Sequence, residues 1–534
     1  MKNKSKMEFV IFSLATLAIT FPILKNGFVL TLDSIISPVP KMPLEFSADY
    51  FWKLLIFILS AANPIVMEKV VIMLIVFMLF LSVSWLMKTF SFWIRIFGSF
   101  MVVFSSFFYF RFVTGQFRLL AGAVILLIIV NLSITFFQSL DKSSKKQMFA
   151  KIIALLLLLL GGMVIYPRLL TYLSIFLISL SLAFSLKTKI TTKNALILLP
   201  LAAMAGISVF SEKIIAFLGK ISSSVSADTQ IGFEHVDLFS GKLTLWQTLA
   251  NRGNWIEKSN RYIIPETIQP AWTICFAILA FMSVAGIILL FREKNRDRAI
   301  FGLTFVIALI LSATALLSSE QSWYASLTQN NVFFLSFRDN SKLFLFILLG
   351  EIVLASFFIE WLFSKFKMDT VRYTLIGFCL LFPMFYNPQV LAGACGQIQA
   401  VKYPGSWYDL NVFLKHNSDG KRTLFLPWHQ YMTMNFTKNV ILNPAPFFFE
   451  VPVIAGDAIE FGSIYTQSTD KDSEVIAQLI DEKVNIADSL MRLNVKYIVN
   501  LKTVDFESYK FIEKDSRIKV LKENDDFILY AITN

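Results

Sequence analysis

Apolar residues gather in eleven runs near 7–25, 66–87, 91–110, 117–138, 149–166, 168–186, 194–211, 271–291, 299–317, 342–364 and 371–386. Each approaches the roughly 20 residues needed to cross a bilayer as a helix. The runs at 149–166 and 168–186 are separated only by Pro167-Arg168 and also fit one broken element, so the number of spans is about eleven. Lys2, Lys4 and Lys6 precede the first run like the start of a signal peptide. No small-residue cleavage site follows Ile23-Leu24-Lys25, so an uncleaved first helix is expected.

The polar intervals set a direction. With the N-terminus in the cytoplasm, every inner loop is basic: Lys88 with Arg95, Lys142 with Lys145 and Lys146, Lys187 with Lys189 and Lys193, Arg292 through Arg298, and Lys365 with Lys367 and Arg372. This is the positive-inside pattern, and an odd number of spans then puts the C-terminus outside. The outer side receives 26–65, 212–270, 318–341 and the tail. Within 26–65, Phe51, Trp52, Leu54, Leu55 and Ile58 predict a short helix lying on the membrane surface.

After Asn387-Pro388 the pattern changes. Strand-like runs appear at Arg422–Leu426 and Tyr497–Val499. Between them Ser473–Leu493 has helical periodicity, with Val475, Ile476, Leu479, Ile480, Ile486 and Leu490 on one face. The expected fold is therefore a polytopic α-helical membrane protein, residues 1–386, with a C-terminal extracytoplasmic α/β domain, residues 387–534. A multi-pass plasma-membrane location follows.

Composition agrees. A mean hydropathy of +0.64 with 56% hydrophobic and 16% charged residues excludes a single water-soluble core. The net charge of +12 sits mostly in the short loops, so it marks topology and membrane-lipid contact, and no nucleic-acid partner is expected. Cys275, Cys379 and Cys395 lack metal-ligand spacing, as do His235 and His429, so no metal site is expected.

A few polar residues invite a chemical reading. Asp33 follows the first span, in an outer loop that is poor in carboxylates until Glu45 and Asp49. It fits a general base on an acceptor hydroxyl and, more simply from spacing alone, a cap on the following helix or turn. Tyr109–Arg118 reads as a short outer turn whose Arg111 and Arg118 suit a phosphate at the bilayer surface or anchor helix ends. Phe337-Arg338-Asp339-Asn340-Ser341-Lys342 packs two cations, an acid and two polar caps outside the tenth span. It fits an anionic headgroup or pyrophosphate, or a plain helix start. Glu351 lies inside that span, where an ionisable group is expensive and usually functional. Glu68-Lys69, opening the second span, reads as an interfacial ion pair. Trp407, Tyr408, Trp428 and Tyr431 fit sugar stacking or, more simply, the core of the tail.

The layout resembles the GT-C superfamily of membrane glycosyltransferases, in its YfhO-like and arabinofuranosyltransferase-like branches, over nearly the whole chain. Asp33, Glu68-Lys69, and Phe107 through Gln116 carry the likeness, the last being similar to an aromatic-Arg-x-x-x-Gly-Gln turn. So do Phe337 through Leu343, similar to Phe-Arg-x-x-x-Lys-Phe, and Leu426-Pro427-Trp428 with Leu493–Val499 in the tail. The resemblance implies a hexosyl- or pentosyltransferase that takes sugar from a polyprenyl-phosphate donor to an extracytoplasmic glycan, lipid or protein acceptor. Asp33 would be the base, with Arg338, Lys342, Arg111 and Arg118 on the donor phosphate. Glu45, Asp49, Gln116, Asp339 and Glu351 would be supporting residues. The first loop lacks the adjacent acid pair of better-characterised members, so a divalent cation is an open question. The rival classes are a transporter or lipid flippase, which would rest on Glu351, and a non-catalytic envelope assembly protein.

Overall fold

The computed structural model describes residues 2–43, 50–138, 145–187, 243–259, 261–264, 271–318, 340–366, 368–458, 460–461, 464–465, 471–483 and 486–533, with single residues at 321, 323 and 326. Among them, six spans are straight, apolar and long enough to cross a membrane. They are formed by α1 (Lys2–Thr20), α3 (Pro64–Leu86), α6 (Phe117–Gln138), α9 (Trp272–Phe291), α10 (Arg296–Leu317) and α11 (Phe344–Lys365). Two bent helix pairs are also long and apolar enough, each counted as one broken span. α4 (Phe92–Val103) meets α5 (Ser106–Thr114) at 46°, and α12 (Asp369–Tyr386) meets Pro388–Gly396 at 72°. α7 (Lys145–Ile165) and α8 (Pro167–Lys187) are two separate helices on the runs parted at Pro167. The expected span at 194–211 lies outside the described residues.

The bend between α4 and α5 has a local cause. Ser105 breaks the ladder, bonding back to the Val102 carbonyl at 2.6 Å while accepting from the Phe108 N–H at 3.2 Å, so it ends one helix and caps the next. The surface helix expected near 47–62 is α2 (Tyr50–Ser60). Asn63 caps α3 by accepting from the Val66 N–H, and Pro64 occupies its first turn. α11 is the central helix, buried along most of its length and packed on α4, α9 and α10. Its approach to α9 depends on Gly286, where an added Cβ would lie 1.9 Å from the Leu354 carbonyl oxygen.

The C-terminal region is a three-layer α/β structure. Its five-stranded sheet runs β10 (Ile518–Glu523), β11 (Phe527–Ile532), β9 (Val495–Leu501), β3 (Arg422–Leu426), β6 (Val453–Ile454). β3 is parallel to β6 and β9, while β11 is antiparallel to β9 and β10. Side chains alternate across it. Phe425, Val499, Phe527 and Leu529 face Trp407, Leu410 and Leu414 on α13 (Gly405–Asn417). Leu424, Leu426, Ile498, Ile528 and Tyr530 face Ile476 of α14 (Lys471–Glu482) and Leu490 of α15 (Ala487–Arg492). Both faces are covered, which explains the unbroken apolar runs of β3 and β9. The helical period seen at 473–493 belongs to two helices.

The loop after α1 is stitched to this region. β1 (Phe28–Val29) pairs antiparallel with β2 (Ala400–Val401), and Phe28 and Leu30 enter the core that contains Trp407. Gly27, at φ +128°, makes the pairing possible, since a Cβ there would sit 2.4 Å from the Val401 carbonyl oxygen. The Leu442 N–H, at the end of β5 (Val440–Leu442), donates to the Thr31 carbonyl at 3.2 Å. Lys41 donates to the carbonyls of Pro446, at 3.1 Å, and Phe449.

Candidate functional site

The segment expected as an outer turn is mostly helical. α5 runs through Thr114, and only Gly115 and Gln116 form the turn into α6. That geometry explains the Arg-x-x-x-Gly-Gln spacing. Gly115 ends α5 in the left-handed conformation at φ +81°, and a Cβ there would lie 1.8 Å from Thr31 Oγ1. Glycine therefore permits both the helix end and the approach of the first loop. One turn earlier, Arg111 points into the protein, and one residue later Gln116 reaches the loop.

Asp33 is held on this turn. Its N–H donates to the Thr114 carbonyl at 2.9 Å, and Gln116 Nε2 donates to its Oδ2 at 2.9 Å. The side chain remains exposed. Residues 34–43 form no helix, and Thr31 closes the local turn, with its Oγ1 donating to the Ser34 carbonyl and accepting from the Ser34 N–H. Among residues 34–43 no helix follows for Asp33 to cap, and the Thr31 turn holds the segment that carries the carboxylate. Tyr262 stands within its electrostatic range, and burial, with the Asp33 charge added, pushes the phenol above its ordinary range, so Tyr262 is a protonated neighbour.

A cavity of about 450 Å³ opens beside Asp33 between the membrane body and the C-terminal region. Lys41, Trp52, Lys53, Phe117 and Phe447 help to line it. Its volume lies in the range of small-ligand sites. Glu68 also lines it, buried, with Oε2 accepting from the Val29 N–H at 2.8 Å. Lys69 donates to the Lys25 carbonyl. In place of the interfacial ion pair expected from sequence, Glu68 and Lys69 each bond to the backbone and clamp the chain that leads into Asp33.

The cations gather on the other side of the same turn. Arg111 is 2% exposed, donates through Nη2 to Ser341 Oγ at 2.7 Å and lies 5.0 Å from the Phe107 ring centroid. Lys342 follows Ser341 and is also buried, with Nζ 5.8 Å from the Tyr166 ring centroid. Arg118 reaches the same ring at 5.5 Å and donates to the Ile165 carbonyl at 2.6 Å. Three of the four cations singled out from sequence therefore converge, although 230 residues separate Arg111 from Ser341. Arg338 and Asp339 lie outside the described residues, as do Glu45 and Asp49.

Other expectations shift. Glu351 is buried in α11, but the groups in electrostatic range include Tyr386, which also feels Arg252 and Cys275, and its carbonyl accepts from Ser283 Oγ at 3.1 Å. No bond from Glu351 to the cation cluster is found among the described residues. Trp407 and Trp428 are core residues, 1% and 6% exposed, whereas Tyr408 remains exposed. Sequence reasoning missed Tyr166, Ser341 as the Arg111 partner, and Tyr262. It also missed the chain of bonds from Gln397 Nε2 to Tyr109 Oη and from there to the Ile263 carbonyl. Only the Tyr166-Pro167 break carried a local signal. Among the described residues no three His, Cys, Asp or Glu side chains converge as a metal site.

The fold is that of a multi-pass membrane protein in which the loop after α1 is woven into a C-terminal α/β region. It is the fold of a solved membrane glycosyltransferase: the single-particle cryo-EM structure of arabinofuranosyltransferase AftD from Mycobacteria is similar at TM-score 0.61 with 12% identity, over 98% of this chain and 40% of that one. A mutant of the same protein is similar at TM-score 0.54, 12% identity, and 98% and 41% coverage. The chain therefore spans about two fifths of that protein's length. The expected architecture, a polytopic helical membrane body with a C-terminal α/β region, is thereby borne out. No protein-family model and no curated protein matches the sequence.

Proposed function

We propose that this chain is an integral membrane glycosyltransferase that moves a sugar from a polyprenyl-phosphate donor to an acceptor hydroxyl on the face of the membrane bearing Asp33. The observation that carries the reading is one turn, Arg111 through Arg118, with a carboxylate beside a ligand-sized cavity on one side and a cluster of cations on the other. The acceptor occupies the cavity. The donor phosphate lies at Arg111, Arg118 and Lys342, and the polyprenyl chain stays in lipid.

In the transfer, the acceptor oxygen attacks the anomeric carbon as its proton passes to Asp33. The bond from that carbon to the phosphate oxygen breaks, and its electron pair stays on the phosphate. Cations placed where that charge develops lower the barrier, strongly so in a site shielded from water. Gln116 orients the base, and Tyr262 supplies a protonated hydroxyl beside it. The name of the fold neighbour favours pentose transfer as the first donor to test. The basic inner loops support a cytoplasmic N-terminus in the plasma membrane, with residues 387–534 as an extracytoplasmic domain that closes one wall of the acceptor cavity.

The test is transfer of radiolabelled sugar from a panel of polyprenyl-phosphate pentoses and hexoses, using membranes that contain wild type or Asp33→Asn. Transfer or donor hydrolysis by wild type that is lost in the variant supports the assignment. A folded wild type that turns over none of the donors overturns it.

A further inference from the structure

A second cavity lies at the opposite end of the membrane body from Asp33. It measures about 350 Å³ and is lined by Glu8 of α1, Met78, Leu81, Ser82, Ser84 and Trp85 of α3, Lys88, Arg95 of α4, and Ile128 of α6. Its charges are unequally committed. Glu8 is buried and accepts from Ser84 Oγ and from Arg95, so the one carboxylate lining the cavity is occupied by the neighbouring guanidinium. Lys88 remains at the rim, using one of its three donors on Thr135 Oγ1 at 2.6 Å. Lys151, in the second turn of α7, adds a second positive charge within electrostatic range of Lys88. The net charge around the cavity is therefore positive.

The apolar part has a direction. Val70, Leu74, Met78, Leu81 and Trp85 recur every three or four residues along α3 and so share one face. Val70, Leu74 and Trp85 are exposed. The cavity thus continues into a lipid-facing stripe that starts at the cations and runs toward the middle of the membrane. A cationic rim above an apolar track fits a molecule with an anionic head and an acyl tail, and a soluble anion would leave the track empty.

We propose that this cavity binds an anionic phospholipid from the leaflet opposite Asp33, with its phosphate at Lys88 and one acyl chain along Leu81 and Trp85. The site is independent of the transfer reaction.

The full-length protein is reconstituted in phosphatidylcholine vesicles doped with brominated phosphatidylglycerol or, separately, brominated phosphatidylcholine. The Trp85 contribution is isolated by subtracting the fluorescence of Trp85→Phe from that of the Trp85 protein. Quenching of this difference signal should show a preference of about fivefold for the anionic lipid, the effect of one basic residue near a charged headgroup. Lys88→Gln should abolish the preference and Lys88→Arg should keep it. Equal quenching by the two lipids in wild type overturns the proposal. So does a preference that survives in Lys88→Gln, or its loss in millimolar glycerol phosphate, which marks a soluble-anion site instead.

Discussion

Two aspartates in two regions of the molecule show how a carboxylate's surroundings decide its use. Asp515, just before β10 in the C-terminal region, is buried and accepts from Arg517 Nε, Nη2 and N–H, and from the Ala487 N–H, at 3.0 to 3.3 Å. Asp33 is exposed, oriented by the Gln116 amide and by its own backbone bond to Thr114, and it opens onto a cavity. The first is surrounded by donors and ties together a strand start and a helix start. The second is fixed in place but accessible, which is what a base acting on a bound hydroxyl requires.

The contrast is broken most sharply at Asp33. Asp33→Asn keeps the shape and the Gln116 contact but cannot take a proton, so sugar transfer should fall by about 100- to 10,000-fold. Transfer assays on protein with an unchanged unfolding temperature check this. A variant as active as wild type would remove Asp33 from the chemistry.

Next come the cations. Arg111→Met and Lys342→Met keep much of the apolar volume while removing charge from the cluster, and each should lower kcat by about 100-fold, as loss of one preorganised charge-stabilising donor does. Glu351→Gln should leave kcat within about twofold, because no bond joins Glu351 to that cluster among the described residues. If Glu351→Gln abolished function and Arg111→Met did not, the transporter reading would replace the enzyme reading.

Gln116→Ala sharpens the comparison by turning Asp33 loose without removing it. As a positioning residue it should cost about tenfold in kcat with little change in KM for the acceptor, because a misplaced base slows chemistry more than binding. Gln116→Glu, which sets two carboxylates together, should raise the Asp33 pKa and move the acidic limb of the pH–rate profile upward. An unchanged profile would mean that Gln116 does not address Asp33.

How much of this could be read from sequence differs between levels. The spans were legible because the twenty-residue apolar run is a local signal imposed by the bilayer. The break at Ser105 was not, since an isolated serine in an apolar run is ordinary and only the geometry shows it ending α4 and capping α5. Strands β3 and β9 announced themselves by β-branched and aromatic residues, whereas two-residue β1 and β2, whose paired residues Val29 and Ala400 lie 371 positions apart, pair through backbone groups that leave no side-chain pattern. Asp33, Arg111, Gln116, Arg118 and Lys342 were found as residue types in motif-like spacing. Their sorting onto two sides of one turn depended on Gly115 admitting Thr31 and on Ser341 meeting Arg111, contacts between distant segments.

The smallest effect on transfer belongs to Asp515. Hydrogen bonds from Arg517, chiefly, and from the Ala487 N–H hold its carboxyl below the usual carboxylate range. A depressed folded-state pKa means that the carboxylate stabilises the fold fully above its unfolded value, near 4, and that this contribution disappears as pH falls through the lower folded value. Asp515→Asn should therefore destabilise the C-terminal region by about 1–3 kcal/mol at neutral pH, the usual range for a buried charged hydrogen bond. The gap between variant and wild type should narrow as the pH is lowered below about 4, and transfer at neutral pH should stay within about twofold. Thermal unfolding followed by intrinsic fluorescence across that pH range measures the gap, and a gap that widens in acid would mean Asp515 is not held as a carboxylate. Because the same chemical change, Asp to Asn, is made at both positions, a loss of transfer at Asp33 without a loss of stability, set against the reverse at Asp515, separates a presented carboxylate from a saturated one.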